Sequence, residues 1–472
     1  MNHLHKLYTV TALAILITGC KVGKEYVRPG MNLPQQFRTE DTKTDSSSVA
    51  ALSTKVFFND TELQSLIDSA NARNFDLLIA LKNIEQADQS LREAKVNFLP
   101  ELGLNIQANS STPSKNSLNG LSIGQFIGSR SVQDYNAALN LSWEIGFFGK
   151  LKGMKAKALS EYLQTREASK AIRSKLVSGV ATGYYNLLML DEQLQIANRT
   201  LALNDSTLRM TKLQWDAGLT TILAVQQAEA QKLSSAQLIP SLQQGISIQE
   251  NALSLLTGTV PSSINRMKKL NEIAPAQQMP TGYPVALLNN RPDVKASEYA
   301  LRAANESVGI AQASMYPSLN ITANGGLNSF KASNWFNIPG SLFGMVAGSV
   351  TQPIFQRRKL KTAFEIAKLE REKSVLQFRQ TVLTAVTEVS DALVKSNRLK
   401  EQVAIAENRV NTLRSAIKNA NMLFGSGMAT YLEVILAQGN LLQSELELSN
   451  LKRQRLAADV ELYTALGGGI NE

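Results

Sequence analysis

Apolar and polar residues along this chain keep two periods, and those periods follow one another in the same order in both halves. Four short stretches alternate. Leu102, Leu104, Ile106 and Ala108 stand between polar or small residues, as do Tyr135, Ala137, Leu139, Leu141 and Trp143. After Pro317 come Leu319, Ile321 and Ala323, and later Leu342, Gly344, Val346, Gly348 and Val350. A period of two predicts strands over about 101–109, 135–143, 318–327 and 342–350, each close to the length a tilted strand needs to cross the hydrocarbon of a bilayer. The Gly-, Ser- and Asn-rich segments 110–133 and 325–341 between the members of each pair read as exposed hairpin loops.

The remaining pattern is helical and long. No proline occurs from Ser114 to Ile239, or from Ile354 to the C-terminus. Continuous helices are expected from about Gly149 to Asp216 and from about Gln356 to Leu423. At roughly 1.5 Å per residue each is a rod of about 100 Å. Val410, Leu413, Ile417, Ala420 and Phe424 recur at spacings of three and four, the narrow seam of a coiled coil. The rods end in two glycine turns, Trp215-Asp216-Ala217-Gly218-Leu219 and Phe424-Gly425-Ser426-Gly427-Met428, with Gly218 and Gly427 lying 209 residues apart. Helices return over Thr220 to about Leu256 and Ala429 to about Leu466, and shorter ones over Glu62–Phe98 and Asp293–Tyr316 end near Pro100 and Pro317.

Each half therefore offers one continuous and one broken rod, with two strands. The fold class expected is mainly α with a small β part: two internal structural repeats, a long coiled-coil helical assembly and four strands per chain. Four strands cannot close a barrel, and lipid does not tolerate an open sheet edge. If the strands span a membrane, the barrel is shared between subunits, and three chains would supply twelve strands and twelve helical columns. The other reading of the alternation is a small soluble antiparallel sheet.

The first residues set a compartment. Leu7 to Ile17 form an apolar run of 11 behind Lys6, a signal-peptide core too short to span a bilayer as a helix. The run closes on Ile17-Thr18-Gly19-Cys20, which resembles the bacterial lipoprotein cleavage box; an ordinary signal peptide with an incidental Cys is the alternative. Cys20 is the only cysteine in 472 residues, so no intramolecular disulfide explains it. Acylated, it would anchor the chain in lipid. The expected division is a signal peptide over 1–19, a lipid-anchored N-terminal segment over 20–60, a first repeat over 61–258, a linker over 259–292 and a second repeat over 293–472.

Composition then removes most enzyme chemistry. The only histidines, His3 and His5, fall in the segment expected to be removed. What remains cannot run a Ser-His-Asp or Cys-His nucleophile and lacks the usual zinc and copper ligands. There is no phosphate-cradling Gly loop, HExxH or EF-hand spacing. No cofactor and no metal site are expected, and the chain reads as a non-enzyme. The formal net charge is +10, but Lys359, Lys361, Glu365, Lys368, Glu370, Arg371, Glu372 and Lys373 show how cations interleave with acids along helices, as on a solvated face. Nucleic acid is not an expected partner behind a secretory signal.

Several motifs carry a resemblance. Tyr26-Val27-Arg28-Pro29, Phe57-Phe58-Asn59-Asp60 and Trp143-Glu144-Ile145-Gly146-Phe147-Phe148-Gly149-Lys150 stand in order. Ile239-Pro240-Ser241-Leu242 and Leu255-Leu256-Thr257-Gly258 follow. Then come Asn290-Arg291-Pro292-Asp293-Val294 with Glu298 and Asn305, Tyr316-Pro317-Ser318-Leu319 and Gln352-Pro353-Ile354-Phe355. Over nearly its whole length the chain resembles an outer-membrane factor of the TolC superfamily, in the lipoprotein branch serving resistance-nodulation-division efflux pumps. Most of these motifs also have a structural reading: Pro292 and Asp293 suit a helix start, and Phe147, Phe148 and Phe355 suit packing at a helix-to-strand corner.

The resemblance implies a homotrimeric, passive exit duct. It would have a barrel in the outer membrane of a Gram-negative bacterium, an α-helical tunnel through the periplasm, and a tip engaged by a periplasmic adaptor protein linked to an inner-membrane transporter. It places Asp216, Ala217, Gly218 and Leu219, with Gly425, Ser426, Gly427, Met428 and Ala429, at that tip. The sequence departs from the family pattern there. Ala429 stands where an acid is frequent, and Leu436-Ala437-Gln438-Gly439 stands where Asp-Ala-Gln-Arg is frequent. Asp216 and Glu433 are left as the candidate gate acids. Small molecules such as drugs are the expected cargo, with metal ions such as copper or silver, or a secreted protein, as alternatives. Met422 and Met428 near the tip suit a copper path or plain apolar packing. A structural coiled-coil lipoprotein is the remote alternative.

Overall fold

The computed structural model describes residues 22–34, 36–37, 52–119, 121–122, 131–275 and 280–470. The expected signal peptide and Cys20 lie outside the described residues. Three helices come first: α1 (Thr54–Phe57), α2 (Thr61–Arg73) and α3 (Phe75–Val96). Strands β1 (Glu101–Ser111) and β2 (Val132–Ile145) lead into α4 (Lys150–Asp216) and α5 (Ile222–Leu256). A linker with two short 3-10 turns brings in α6 (Leu287–Asn290) and α7 (Pro292–Ala313). Then follow β3 (Ser318–Ser329), β4 (Leu342–Thr351), α8 (Lys359–Gly425) and α9 (Tyr431–Ala465).

The repeat is metrically strict. Every boundary of α8 and α9 lies 209 residues after its counterpart in α4 and α5, and α7 and the start of β3 lie 217 after α3 and the start of β1. The hairpin loops absorb the difference, with 112–131 in the first half and the shorter 330–341 in the second.

The chain falls into two compact units. One holds residues 1–29, 85–163 and 298–376. It contains a four-stranded antiparallel sheet in the order β1-β2-β3-β4, in which Leu104 faces Leu139, Leu141 faces Ala323 and Ile321 faces Gly348. Among the described residues both outer edges of the sheet are unpaired. No described helix is long and apolar enough to cross a membrane. At the corner below β2, Phe148 stacks on Tyr316 with centroids 5.0 Å apart, as a packing residue should. Phe355, read from sequence as the same kind of residue, is 84% exposed. No described residue covers it.

The second unit holds residues 30–84, 164–297 and 377–472 and is helical. Its seam is legible on α8. Phe378, Val382, Ala385, Val389, Ala392, Leu399, Val403, Ala406, Val410, Ile417 and Phe424 are buried. These positions follow a seven-residue repeat, which keeps one stripe facing its partners over the length of the helix. Leu399, Val403 and Ala406 pack on Leu451 and Ala458 of α9. Ser396 fills a polar place in the stripe and donates to Asp459 at 3.2 Å.

The helix expected over Glu62–Phe98 is interrupted, and the reason is local. Asn74 leaves the helical region (φ −62, ψ 128), accepts from Leu77 N at 3.1 Å, and donates from Nδ2 to the Leu256 carbonyl at 3.0 Å. It thus caps α3 and takes up an orphan carbonyl at the end of α5 in one move. Gly258 follows in the left-handed region (φ +67), and a Cβ there would sit 2.4 Å from Arg73 O. The second half repeats this joint. Arg291 Nη1 donates to Ala465 O at 2.9 Å, and a Cβ on Gly467 would meet Asn290 O at 2.8 Å. Arg291 is buried and paired with Asp293 and Glu388, both at 2.7 Å. Burial opposes its charge; the two carboxylates more than compensate, so its pKa is raised.

Replacing Gly258 with Ala should therefore cost about 2 kcal/mol or more, through strain and a backbone clash together. At Gly218, whose φ is +72 with nothing within 4 Å, the same change should cost about 1 kcal/mol. Thermal denaturation of the two purified variants tests the order; equal losses would show that Gly258 is not a joint.

Candidate functional site

Two exposed turns close the helix pairs, and each is built by the same backbone logic. In the first, Leu219 N donates to Gln214 O and Gly218 N to Trp215 O, both at 2.8 Å. In the second, Met428 N donates to Leu423 O at 2.8 Å and Gly427 N to Phe424 O at 3.2 Å. Such crossed bonds satisfy the last carbonyls of a helix and require a left-handed residue. Gly218 (φ +72) and Gly427 (φ +76) supply it. Thr221 and Thr430 then start the returning helices; the Thr221 hydroxyl accepts from Ala224 N at 3.4 Å. In the single chain Asp216, Ala217, Gly218, Leu219, Gly425, Ser426, Gly427 and Met428 are all exposed, and Ala429 is half-buried. The turns thus present two exposed apolar knobs, Leu219 and Met428.

The two candidate gate acids hold non-equivalent places in the two repeats. Asp216 ends α4, at the place Gly425 holds in the second turn; Glu433 lies in the first turn of α9, opposite the place of Ala224. Glu433 already has an occupation. It accepts from the Thr430 amide at 2.8 Å and from the Thr430 hydroxyl, and these bonds hold its carboxyl below the usual range. Above the turns, Leu208, Val225, Ala228 and Ile435 form a small core. Tyr431 donates to Gln227 across α9 and α5, and Lys232 pairs with Asp205 at 2.6 Å. The turns are held by packing just above them.

A second feature lies in the other unit. The N-terminal segment over residues 22–29 runs along α7 as a strap. Gly23 faces Gly309 so closely that a Cβ on Gly23 would meet the Gly309 Cα at 3.1 Å. Asn305 Nδ2 donates to Lys24 O at 3.2 Å. Glu298 accepts from three side chains around it: Tyr26 Oη at 3.2 Å, Arg28 Nε at 3.1 Å and Nη2 at 2.6 Å, and Arg302 Nη2 at 2.8 Å. The Arg302 guanidinium also lies 4.9 Å over the Tyr26 ring. Burial alone would raise the Glu298 carboxyl, but the bonds from Arg28 and Arg302 outweigh it and the pKa is lowered. Burial and the Glu298 charge push the Tyr26 hydroxyl up to about 12. Read from residue 28 back to 23, the strap moves along α7 toward its end at Ala313 and the start of β3 at Ser318. Sequence reasoning named Tyr26, Arg28 and Glu298 within motifs, yet nothing in a linear reading pairs residues 270 apart.

The linker over 259–292 is pinned by one cation. Arg266 bonds Asp191 of α4 and, at 2.6 Å, Glu250 of α5. Among the described residues no group of three or more His, Cys, Asp or Glu could hold a metal ion.

A four-stranded sheet with two outer edges left unpaired, together with long paired helices that close in exposed turns, is the subunit plan of a channel. The outer membrane efflux protein family model matches residues 66–259 and 283–468, and the chain belongs to that family. It is an outer-membrane efflux channel of a tripartite pump. Channels of this family are homotrimers that work with periplasmic adaptor proteins and inner-membrane resistance-nodulation-division transporters. The chain is 29% identical to the cation efflux system protein CusC of Escherichia coli O6:H1 over 97% of each chain. It is 30% identical to the probable outer membrane lipoprotein SilC of Salmonella typhimurium over 98% of each. It is also 29% identical to the toluene efflux pump outer membrane protein TtgI of Pseudomonas putida over 96% of each. A crystal structure of CusC superposes with a TM-score of 0.84, covering 95% of this chain and all of that one.

The strap generates a prediction with a defined sign. Because the folded Glu298 pKa is lowered, the stability it lends the strap is complete above the unfolded value, near 4.5, and is lost as pH falls through the folded value. Hydrogen exchange over residues 22–29 should rise toward acid relative to the rest of the chain. Glu298→Gln should raise it at neutral pH and flatten the acid dependence. Exchange that is identical in the two proteins would remove Glu298 as the buckle.

Proposed function

We propose that this channel carries small organic molecules such as drugs, delivered to it by its adaptor and transporter, and that the tip turns are where the adaptor engages. The observation that carries the tip assignment is the pair of matched, exposed glycine turns, each presenting an apolar side chain, Leu219 or Met428, that no described residue covers. Such knobs suit capture by another protein's helices. Opening would then spread the helix pairs at those turns, with Asp216 and Glu433 as the acids to test for a gate.

For the cargo, the support is chemical. Beyond the two N-terminal histidines and Cys20 the chain has no imidazole or thiol, so methionine is its one remaining soft ligand type for a transition metal in transit. The likeness to CusC favours a second reading, cation export; the equal likeness to TtgI favours organic cargo. Cys20 is the proposed acylation site, ahead of the strap.

Deleting the gene should sensitise the host to dyes, detergents and several antibiotics, with reversal on complementation. Sensitisation confined to copper and silver would instead assign cation export. Separately, Gly218→Trp and Gly427→Trp should reduce adaptor crosslinking and export by at least tenfold while the protein still assembles; unchanged crosslinking would remove the turns from the docking surface. Cys20→Ser should abolish incorporation of labelled fatty acid.

A further inference from the structure

The two corners where a strand gives way to a long helix hold equivalent places in the repeat and are built in opposite ways. The offset of 209 residues between the starts of α4 and α8 lays residues 144–152 onto 353–361. Just before the corners, Trp143 and Gln352 make the same bond, to the carbonyls of Phe98 and Met315 at 2.9 and 3.1 Å. Beyond that point the corners part. In the first, residues 144–150 are all half-buried, Phe148 stacks on Tyr316, and Lys150 pairs with Glu144 at 2.9 Å. Its left-handed residue is Gly149 (φ +81). In the second, residues 354–359 are all exposed. Pro353 stands in place of Glu144, so Lys359 has lost the acid that Lys150 keeps; Arg357 stands in place of Phe148 and Arg358 in place of Gly149.

The backbone of the second corner is strained. Arg357 (φ +47) and Arg358 (φ +64) are the only non-glycine residues, among those described, in the left-handed region. Across them Lys359 N donates to Gln356 O at 2.9 Å, and Thr362 N donates to Arg358 O at 2.9 Å, so the turn is closed by its own backbone. Two successive left-handed residues are what a mirror-image turn asks for, and Asn-Gly is the pair that enters it freely. A side chain with a Cβ is strained at either place. Glycine, which the first corner uses, would relieve it. Strain retained where so small a change would remove it is a sign of work done by the side chains.

Those side chains stand in a distinct setting. Arg358, Lys359 and Lys361 line a cleft of about 510 Å³ together with Met315, Ile354 and Phe355. Ile354 is 95% exposed, and Phe355 is nearly as bare. No acid occurs over residues 352–364, and the next one along α8, Glu365, is taken by Lys368 at 3.1 Å. None of Arg357, Arg358, Lys359 and Lys361 forms an ion pair among the described residues. β4 ends at Thr351. In an outer-membrane channel the corner therefore lies where the strands leave the hydrocarbon on the side of the helices, at the headgroups of the periplasmic leaflet. We propose that this corner binds the headgroup of an anionic phospholipid, with Arg358, Lys359 and Lys361 about the phosphate and with Ile354 and Phe355 against the root of the acyl chains. This rests on the outer-membrane channel described above and adds to it a lipid site in the second repeat of each subunit.

Charge decides the occupant. Over nine matched residues the first corner carries one net positive charge and the second carries four. A corner meant only for water gains nothing from a bare Ile354 and Phe355. A corner meant to be covered by protein would take four cations out of water with no acid of its own beside them, which is costly. An anionic headgroup above acyl chains meets both halves of the patch at once: the phosphate answers the cations, and the hydrocarbon answers the apolar pair. The first corner, closed by its own aromatic stack and its own ion pair, has no such vacancy to fill.

Native mass spectrometry of the full-length trimer, released from nanodiscs of equal phosphatidylglycerol and phosphatidylcholine, tests the site. The unaltered protein should retain phosphatidylglycerol in preference to phosphatidylcholine. Arg357→Asn with Arg358→Gly installs the unstrained turn, so the double variant should denature in detergent no earlier than the unaltered protein. Its retention of phosphatidylglycerol should nevertheless fall at least tenfold, since each cation near an anionic surface contributes a factor of about five. Arg357→Lys with Arg358→Lys should keep most of the retention. Lys152→Gln, in the first corner, should change it less than twofold. Undiminished retention in the double variant would overturn the site. An equal fall with Lys152→Gln would overturn it too, by reducing the effect to the general field of the protein. A trimer that the double variant weakens in detergent would assign the arginines to a neighbouring subunit, and displacement of the lipid by inorganic phosphate would assign the cleft to a soluble anion; either result would overturn the lipid site and leave the channel assignment intact.

Discussion

Everything in the helical unit depends on how a broken helix is made to behave like a continuous one. The C-terminus of α5 meets the N-terminus of α3 at Asn74, and the C-terminus of α9 meets that of α7 at Arg291. In each joint one side chain takes the last carbonyl of the arriving helix, and a left-handed glycine lies against the backbone before the break. The joint brings a negative helix end to a positive one, so the dipoles favour it as well. Asn74 does this with a neutral amide. Arg291 does it with a buried cation that two carboxylates hold in place, which makes the second joint the more demanding of the two: removing the guanidinium would leave Asp293, Glu388 and a carbonyl without their donor.

Around these joints the division of labour is clear. The seven-residue stripe on α8 supplies continuous apolar burial without needing any residue to be large, and polar residues such as Ser396 are admitted where a hydrogen bond awaits them. The glycine turns close the helix pairs while leaving their own surface free. The strap is held differently again, by a single carboxylate under three donors, so a short stretch of chain with little apolar surface to bury is still fixed in position. None of these devices is chemical in the catalytic sense; each sets where a surface stands.

Much of this was legible in the sequence. The alternating runs place all four strands to within three residues at either end, and the long rods to within three, because each pattern persists over many residues and the glycine turns punctuate it. The interruption at Asn74 was not legible: no proline or glycine marks it, and the partners that make it worthwhile, Leu256 and Gly258, are remote in the chain. Arg291 was read as part of a helix start because Pro292 follows it, which is correct as far as it goes and misses the carbonyl of Ala465. Phe355 was expected to pack and is exposed; by the 209-residue offset it corresponds to Gly146 and not to the packed Phe148. The positions of the two helix-closing turns were visible from the glycines. That Glu433 is engaged in capping its own helix was visible only in the structure.

The fixed offset of 209 between α4–α5 and α8–α9 has a consequence for how such a chain can change over generations. Inserting one residue into α4 alone would advance its turn by about 1.5 Å and rotate every later side chain by about 100°, so its turn would no longer stand level with that of α8. Lengths in the helices can therefore drift only as matched pairs, and the two halves of the gene are bound to a common ruler. The hairpin loops are exempt. There the halves already differ by eight residues, and the freedom to diverge has collected on the one side of the sheet that no helix has to meet.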